Sequence, residues 1–300
     1  MKYKTLWLFI AIIFPQLAFA QSTQFYLEDR LNDKLKVRIY VAGEVSAKTQ
    51  VQETLYKAVD HARETLNKLD VSNPSSELAK INQKKTAGNF TVSPELAKAI
   101  EVSLDVSRWT KGAFDITFDS KEGNFREIKV NSDSNELKIK IDNMTINLRH
   151  VTKGILADLI ADDLGNAGFK NCLVKVGSVF VTRGNDVSGP WKIPVIAPSD
   201  KLAKKALLYK ATDVSAATLT TNDGSIDVVD PRNKSRATSD LKSVTVFTQS
   251  GTKAEGLAAA VYVMGSNDGK KFLEKNSNLR GVLGDKEGNL THIPEWKPNP

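Results

Sequence analysis

Apolar residues along this chain recur with two periods, one typical of helices and the other typical of strands. Helical spacing predicts helices over residues 51–69, 75–82, 94–111, 155–164 and 251–265. Alternating or continuous apolar runs predict strands over residues 35–41, 173–176, 179–181, 191–196, 206–215, 226–229 and 243–248, and a hairpin within residues 136–148. Ser76 and Ser93 stand where helix N-caps are expected. Pro194 confines its strand to a sheet edge or a strand end.

The segment 151–184 joins one predicted helix to two buried strands. Lys153 and Gly154 open the helix, and Gly177 turns the chain between the strands. Free backbone N–H groups and the helix dipole favour an anion at such a helix start, so the segment suits a phosphate group. The alternative is an ordinary helix-to-strand turn that carries a solvated lysine.

The chain starts with the pattern of an export signal. Lys2 and Lys4 precede a short apolar run, and a small-x-small cleavage motif ends at Ala20. The run is too short to span a membrane and is broken by Pro15. No cysteine follows it, so we expect no lipid anchor. We therefore predict a signal peptide over residues 1–20, a periplasmic domain over 21–289 and a polar tail over 290–300.

Charge and cysteine content narrow the class of protein further. The net charge of +7 is spread along the chain without an arginine-rich block, which gives weak support for anionic ligands and no support for nucleic acid. The single cysteine, Cys172, falls in a predicted buried strand, where it is expected to act as a small apolar residue. The chain has no internal disulfide.

Several motifs in a fixed order resemble one protein family. They are Asn73-Pro74-Ser75-Ser76-Glu77-Leu78, Thr110-Lys111-Gly112-Ala113-Phe114-Asp115-Ile116-Thr117, Lys153-Gly154 through Asp158, Trp191 through Pro198, Val229-Asp230-Pro231-Arg232 and the alanine-rich helix ending at Gly265. Together they resemble the periplasmic flavin transferases of the ApbE family, the FAD:protein FMN transferases. The resemblance covers residues from about 35 to 284.

The resemblance implies a reaction in which a threonine of a partner protein attacks the pyrophosphate of bound FAD. FMN becomes esterified to that threonine and AMP leaves, with help from Mg²⁺. The catalytic positions it implies are Asp227 and Lys153, and the metal positions are Glu255 and a backbone carbonyl at Thr152. The implied cofactor-binding positions are Ser76, Phe114, Asp115, Lys153, Asp158, Gly177 and Pro231.

The chain departs from the family pattern at positions that would face the metal or the nucleotide. Glu255 stands where the family has a metal-binding aspartate, and Ala259 stands where it has a threonine. Asp227 replaces a histidine, and Ser215-Ala216-Ala217 replaces a Thr-Ser-Gly turn. Val176-Gly177-Ser178 replaces a Gly-Gly-Asp/Glu sequence. These changes point toward weakened or lost catalysis.

Each candidate residue also has a structural interpretation. Phe114 can be explained as an aromatic residue of the core, and Asp115 as a side chain that stabilises a turn. Asp158 can be explained as a charge on the protein surface. Asp227 stands at a predicted strand-to-turn junction, where aspartate is common without having any function. Glu255 is the hardest to explain structurally, because a carboxylate in an apolar helix is costly unless it is paired, hydrated or bound to metal.

Three functions follow from these observations. The first is a working flavin transferase that acts on a protein carrying a modifiable threonine. The second is an inactive relative that binds a flavin or another nucleotide, and the third is a periplasmic scaffold without a ligand. For architecture we expect an α+β fold, with mixed, mainly antiparallel sheets packed against long helices and the site between two halves that share one core.

Overall fold

The computed structural model describes residues 23–43, 48–196, 206–220 and 228–294. The predicted signal peptide and Asp227 lie outside these residues. None of the helices in the described ranges is both long and apolar enough to cross a membrane. The helices are α1 (Lys48–Leu69), α2 (Glu77–Lys84), α3 (Pro94–Trp109), α4 (Thr152–Asn166) and α5 (Gly251–Lys275).

One large sheet forms the centre of the molecule, and three small sheets surround it. The strands are β1 (Thr23–Arg30), β2 (Lys36–Gly43), β3 (Gly88–Thr91), β4 (Ile128–Asn131), β5 (Glu136–Ile139), β6 (Cys172–Val176), β7 (Val179–Arg183), β8 (Trp191–Ile196), β9 (Ala206–Ala211), β10 (Ser215–Thr220), β11 (Val229–Asp230), β12 (Ser235–Arg236), β13 (Ser243–Thr248), β14 (Arg280–Gly284) and β15 (Leu290–Ile293). The large sheet has the order β1-β2-β6-β7-β10-β13-β14-β15, with antiparallel neighbours throughout. The predicted α+β fold class is confirmed.

The two faces of the large sheet are covered differently. Val37, Ile39 and Val41 of β2 point toward α1 and α4 and belong to one apolar core. Tyr40 and Ala42 lie on the opposite face, where the β8–β9 ribbon packs. Because successive side chains of a strand point to opposite faces, the same strand serves both layers. Pro194 is expected at a sheet edge or a strand end; among the described residues β8 pairs with β9 alone, so Pro194 lies on an edge.

The helices begin where their capping residues predict. The hydroxyl of Ser76 accepts a hydrogen bond from the backbone N–H of Ala79 (3.0 Å), and Ser93 does the same for Leu96 (3.4 Å). The predicted strand containing Cys172 is β6, where burial raises the pKa of the thiol to about 11. This side chain is therefore a buried apolar group in the core.

The predicted hairpin within residues 136–148 is wrong. β5 pairs with β4 and β3, and the turn at Asn135 (φ 56°) joins β4 to β5. Residues 144–148 alternate between apolar and polar types because Met144, Ile146 and Leu148 belong to the core, but their backbone does not pair with β5 and is held by a side chain. Ile146 exchanges two hydrogen bonds with the amide of Asn82 (2.8 and 3.0 Å). Alternation reports burial on one face and does not identify the hydrogen-bond partner.

The predicted strand over residues 206–215 is two strands. Asp213, with a φ of 54°, separates β9 from β10. The turn expected at Ser215–Ala217 is instead the start of β10, which lies inside the large sheet between β7 and β13. Buried small residues can form a central strand as readily as a turn, and the sequence pattern alone does not separate the two.

Two boundaries near the C-terminus differ from expectation. Gly265, with a φ of 78°, ends the first part of α5 as predicted, but a second helical part continues to Lys275. Leu290–Ile293 forms β15 and pairs with β14, so the fold extends beyond the tail boundary expected at residue 290. Residues 295–300 lie outside the described ranges.

Candidate functional site

Helices α4 and α5 meet at their N-termini through two glycines. A β-carbon placed on Gly154 would fall against the carbonyl of Gly251 and 2.5 Å from the α-carbon of Thr252. A β-carbon on Gly251 would lie 2.8 Å from the Val181 side chain. Both positions therefore require glycine, and the close approach brings the start of α4 to the side of α5.

Glu255 of α5 lies at this crossing. Its side chain is buried, and its Oε2 accepts a hydrogen bond from the backbone N–H of Gly154 (2.8 Å). Its Oε1 forms an ion pair with the ammonium group of Lys153 and has no further hydrogen-bond partner in the described residues. The structure thus brings together Glu255, Lys153 and the first turn of α4, which the sequence analysis named in separate roles.

Gly177 supports the stem of Lys153 from the neighbouring strand turn. A β-carbon there would lie 2.8 Å from Cδ of Lys153 and 3.4 Å from Leu35, and φ at Gly177 is 57°. A pocket of about 280 Å³ opens beside this turn. Its lining is strongly basic and comprises Lys34, Leu35, Lys36, Arg38, Lys175 and Gly177. The predicted site residues Lys153, Gly177 and Glu255 thus lie together. Gly177 also borders the basic pocket, whose Arg38 and Lys175 side chains lie on the face of the sheet opposite α4.

Asp158 lies at the same crossing, and both of its carboxylate oxygens accept hydrogen bonds from residues at the start of α5. One oxygen accepts a hydrogen bond from the backbone N–H of Gly251 (2.7 Å). The other accepts from the backbone and hydroxyl of Thr252 (2.9 and 2.8 Å) and from the hydroxyl of Ser250 (2.8 Å). A carboxylate at a helix N-terminus is electrostatically favourable. Asp158 therefore fixes the start of α5, and neither the surface interpretation nor direct nucleotide binding accounts for these bonds.

Phe114 and Asp115 also have protein partners. Phe114 is buried beside α5, where a β-carbon on Gly256 would lie 3.5 Å from its ring. Asp115 accepts hydrogen bonds from the N–H and hydroxyl of Thr117 (both 2.8 Å) and from the N–H of Phe125 (3.0 Å). The structural interpretations of both residues, a core aromatic residue and a turn brace, match these contacts.

Two other predicted residues lie in different surroundings. Ser76 caps α2 and lines a separate cleft of about 610 Å³ together with Lys80 and Lys84. Pro231 is buried in a turn that the carboxylate of Asp230 holds through the Arg232 side chain (2.9 and 2.7 Å). Burial alone would raise the pKa of Asp230, but the bonds from Arg232 outweigh it and lower that pKa.

The residues described here do not fit a Mg²⁺ ion held by protein ligands. Within the described ranges, no three His, Cys, Asp or Glu side chains cluster where they could hold a metal. Ala259 is buried in the apolar core and offers no side-chain oxygen, so the expected protein ligands reduce to Glu255 and the backbone carbonyl of Thr152. Glu255 is the one carboxylate at the expected position, and an ammonium group already meets it.

The sequence interpretation missed the residues that hold the start of α5. Ser250, Gly251 and Thr252 form the N-terminal turn that Asp158 binds, and Ser250 caps α5. The available signal was a serine followed by glycine and threonine immediately before an alanine-rich run. That signal predicts a helix start, but it gives no indication that the start is bound by another helix.

Comparisons of the sequence with a family model and with known proteins lead to the same family. The model of the ApbE family matches residues 34–123 and 119–283. A relative from Vibrio cholerae serotype O1, named FAD:protein FMN transferase, is 25% identical over an alignment of 258 positions that covers 75% of this chain and 77% of the relative. A relative of the same name from Escherichia coli K12 is 23% identical over an alignment of 254 positions that covers 71% of each chain.

Solved structures share the fold. The flavin transferase ApbE from Vibrio cholerae superposes with a TM-score of 0.75 at 20% identity, covering 91% of this chain and 97% of the other. The apo form of the flavinyl transferase ApbE from Pseudomonas stutzeri gives a TM-score of 0.80 at 19% identity, covering 92% and 96%. The architecture described above is thus the architecture of these proteins.

Proposed function

This chain belongs to the ApbE family, and from that premise we propose that it is an FAD:protein FMN transferase whose acceptor is a threonine in an exported partner protein. The family match supports the enzyme class and the FAD donor, because it extends over both the helical and the sheet-rich parts of the chain. The choice of threonine rests on the resemblance of the motifs. Export and a periplasmic site of action rest on the composition of residues 1–20.

The proposed transfer exchanges a phosphoanhydride bond for a phosphoester bond. The threonine Oγ attacks the phosphorus on the FMN side of the FAD pyrophosphate, an Oγ–P bond forms and the bond to the bridging oxygen breaks. AMP leaves with that oxygen, and the hydroxyl proton passes to a base. Asp227 holds the sequence position proposed for this base. The Lys153 ammonium would stabilise charge on the phosphate oxygens, because it is partly exposed at the N-terminus of α4.

Mg²⁺ is assigned no step in this proposal. The resemblance implies the ion, but the described residues at the expected position supply a single carboxylate that is already paired with Lys153. Ala259 is apolar and buried, so it would not complete a ligand set. The contribution of this chain is therefore derived from its own charged and backbone groups.

The observation that carries the proposal is the meeting of Lys153, Gly177 and Glu255 at one place in a chain that matches the family over most of its length. The test is covalent labelling of a threonine-containing acceptor domain by FAD, read as in-gel flavin fluorescence, with and without Mg²⁺. We expect fluorescence on the acceptor that is lost when its threonine becomes alanine. A dark acceptor band, while an active family member labels the same acceptor, would contradict the proposal.

One observation favours a second candidate function. Ala259, 3% exposed, replaces the family threonine with an apolar side chain, which is the change expected in a protein that binds flavin without transferring it. Such a binding module would be purified with bound yellow flavin and would release no AMP in the presence of the acceptor. Multiple turnovers of AMP release that depend on the acceptor would exclude it.

A further inference from the structure

We propose that the ammonium group of Lys153 replaces the divalent cation in this site, so that the chain binds flavin nucleotide without a metal. This inference rests on the proposed function, because it concerns the same site and the same substrate. It goes beyond that function by assigning to one side chain the electrostatic role that the family resemblance assigns to Mg²⁺.

The first reason is that Glu255 already has a cation. A buried carboxylate requires a positive partner or hydrogen bonds, and Glu255 has one of each, from Lys153 and from the N–H of Gly154. A Mg²⁺ ion on Oε1 would lie next to the Lys153 ammonium. The resulting repulsion between like charges would oppose metal binding for as long as the ion pair remains.

The second reason is that the fold holds Lys153 in place. The lysine is the second residue of α4, and hydrogen bonds hold α4 against α5: Gly154 donates to Glu255 (2.8 Å), and Asp158 accepts from Gly251 (2.7 Å). Gly177 packs against the alkyl stem of the lysine from the other side. An ammonium group fixed in this way resembles a bound ion more closely than a mobile surface charge does.

The third reason is that the lysine remains available to a phosphate. Its side chain is 32% exposed, whereas that of Glu255 is 8% exposed. An ammonium group has three N–H donors, so the bond to Glu255 leaves others for phosphate oxygens. Arg38 and Lys175 lie on the face of the sheet opposite α4, and Arg38 is paired with Glu28 (2.7 Å), so Lys153 carries the electrostatic role by itself. Its charge, at the N-terminus of α4, favours a phosphate group there without a divalent cation.

The test measures binding separately from transfer. FAD affinity of the wild-type protein is determined by flavin fluorescence in EDTA and again in MgCl₂, and we expect the two dissociation constants to agree within about twofold. Melting temperature is recorded with MgCl₂ alone, where we expect no shift, since an ion that does not bind cannot stabilise the native state. A wild-type protein that binds FAD about tenfold more weakly in EDTA, or that Mg²⁺ alone stabilises, would overturn the inference.

The variant Lys153→Met removes the charge and keeps the length of the side chain. It leaves the Glu255 carboxylate without its cation, so Mg²⁺ alone should now raise the melting temperature. FAD affinity should fall at least about tenfold in EDTA and recover in part with MgCl₂. The double variant Lys153→Met/Glu255→Gln is the matched control and should lose the response to Mg²⁺. Failure of Lys153→Met to respond to Mg²⁺ would contradict the assignment of Lys153 as the cation.

The two proposals fail in different ways. Binding of FAD only in the presence of Mg²⁺ would leave the transferase proposal standing and remove this inference. Absence of FAD binding under both conditions would remove both proposals. FAD binding that is equal in EDTA and MgCl₂, without labelling of the acceptor, would remove the transferase proposal and leave this inference standing. If Lys153→Met does not fold, the wild-type comparison between EDTA and MgCl₂ decides it.

Discussion

Gly154 of α4 and Gly251 of α5 lie in backbone contact, and each occupies space that a side chain on the other helix would need. The contact places the N–H of Gly154 within 2.8 Å of the Glu255 carboxylate. The ion pair at the candidate site therefore depends on how closely two helices approach, and residues without chemical function determine that distance.

The variant Gly154→Ala tests this dependence. Its new methyl group would collide with backbone atoms of Gly251 and Thr252, which cannot rotate away, so α4 and α5 must separate. We expect the free energy of unfolding to fall by about 3 kcal/mol, at the upper end of overpacking effects, and FAD affinity to fall as well. Chemical denaturation and flavin binding measure the two effects.

Gly165→Ala is the control for this variant. Gly165 belongs to the same helix, is exposed, and has open space around the position of a β-carbon. Alanine is favoured over glycine in a helix, so the change should be neutral or stabilise the protein by up to about 1 kcal/mol. Equal losses of stability in both variants would show that the helix contact is not responsible.

Asp158→Ala should destabilise the protein without a direct role in nucleotide binding. The change removes the acceptor for four hydrogen bonds at the start of α5. We expect a loss of about 2–3 kcal/mol in the free energy of unfolding, measured by urea denaturation, because charged hydrogen bonds and helix caps both contribute at this scale. Asp162→Ala, an exposed carboxylate one turn later, should change stability by less than about 0.5 kcal/mol. Unchanged stability with weaker FAD binding in Asp158→Ala would instead indicate contact with the nucleotide.

His61 should make stability depend on pH. Burial lowers the pKa of its imidazole, but Asp163 (2.8 Å) and Glu95 (3.5 Å) outweigh burial, so that the pKa is raised in the native protein. The stabilisation is fully present below the unfolded value near 6.5 and is lost as pH rises through the higher folded value.

The measurement is the urea midpoint of wild type and His61→Gln between pH 5.5 and 8.5, roughly one to two units around the ordinary histidine pKa. The advantage of the wild type should be largest at the acidic end and decline as the pH rises. A difference between the two proteins that stays constant over this range would contradict the assignment.

The sequence predicted much of this fold because local signals and burial agreed. Ser93 capped α3 as expected, and Gly265 ended the first part of α5. The errors have a common physical origin, since residues 144–148 and Ser215–Ala217 are buried by partners distant in sequence. Periodicity indicates which side of a segment is covered, but it cannot indicate which segment covers it.

The candidate site shows the same limit. Glu255 could be singled out because a carboxylate is unusual in an apolar helix, and Lys153 because it begins α4. Their ion pair could not be predicted, since the two residues are about one hundred positions apart and meet only through the glycine contact. Asp158, read from sequence as a ligand contact or a surface charge, proved to hold α5 because its partners come from that distant helix.

Gly177→Ala should weaken FAD binding by displacing Lys153. The new methyl group would approach Cδ of the lysine at 2.8 Å and push the stem away from Glu255, and a side chain at a φ of 57° adds strain of about 1–2 kcal/mol. Gly168→Ala is the matched control, because Gly168 also has a positive φ (92°) but has open space around it. Both variants should lose stability in urea denaturation, and only Gly177→Ala should lose FAD affinity. Equal FAD affinity in the two variants would show that contact with Gly177 does not position the lysine.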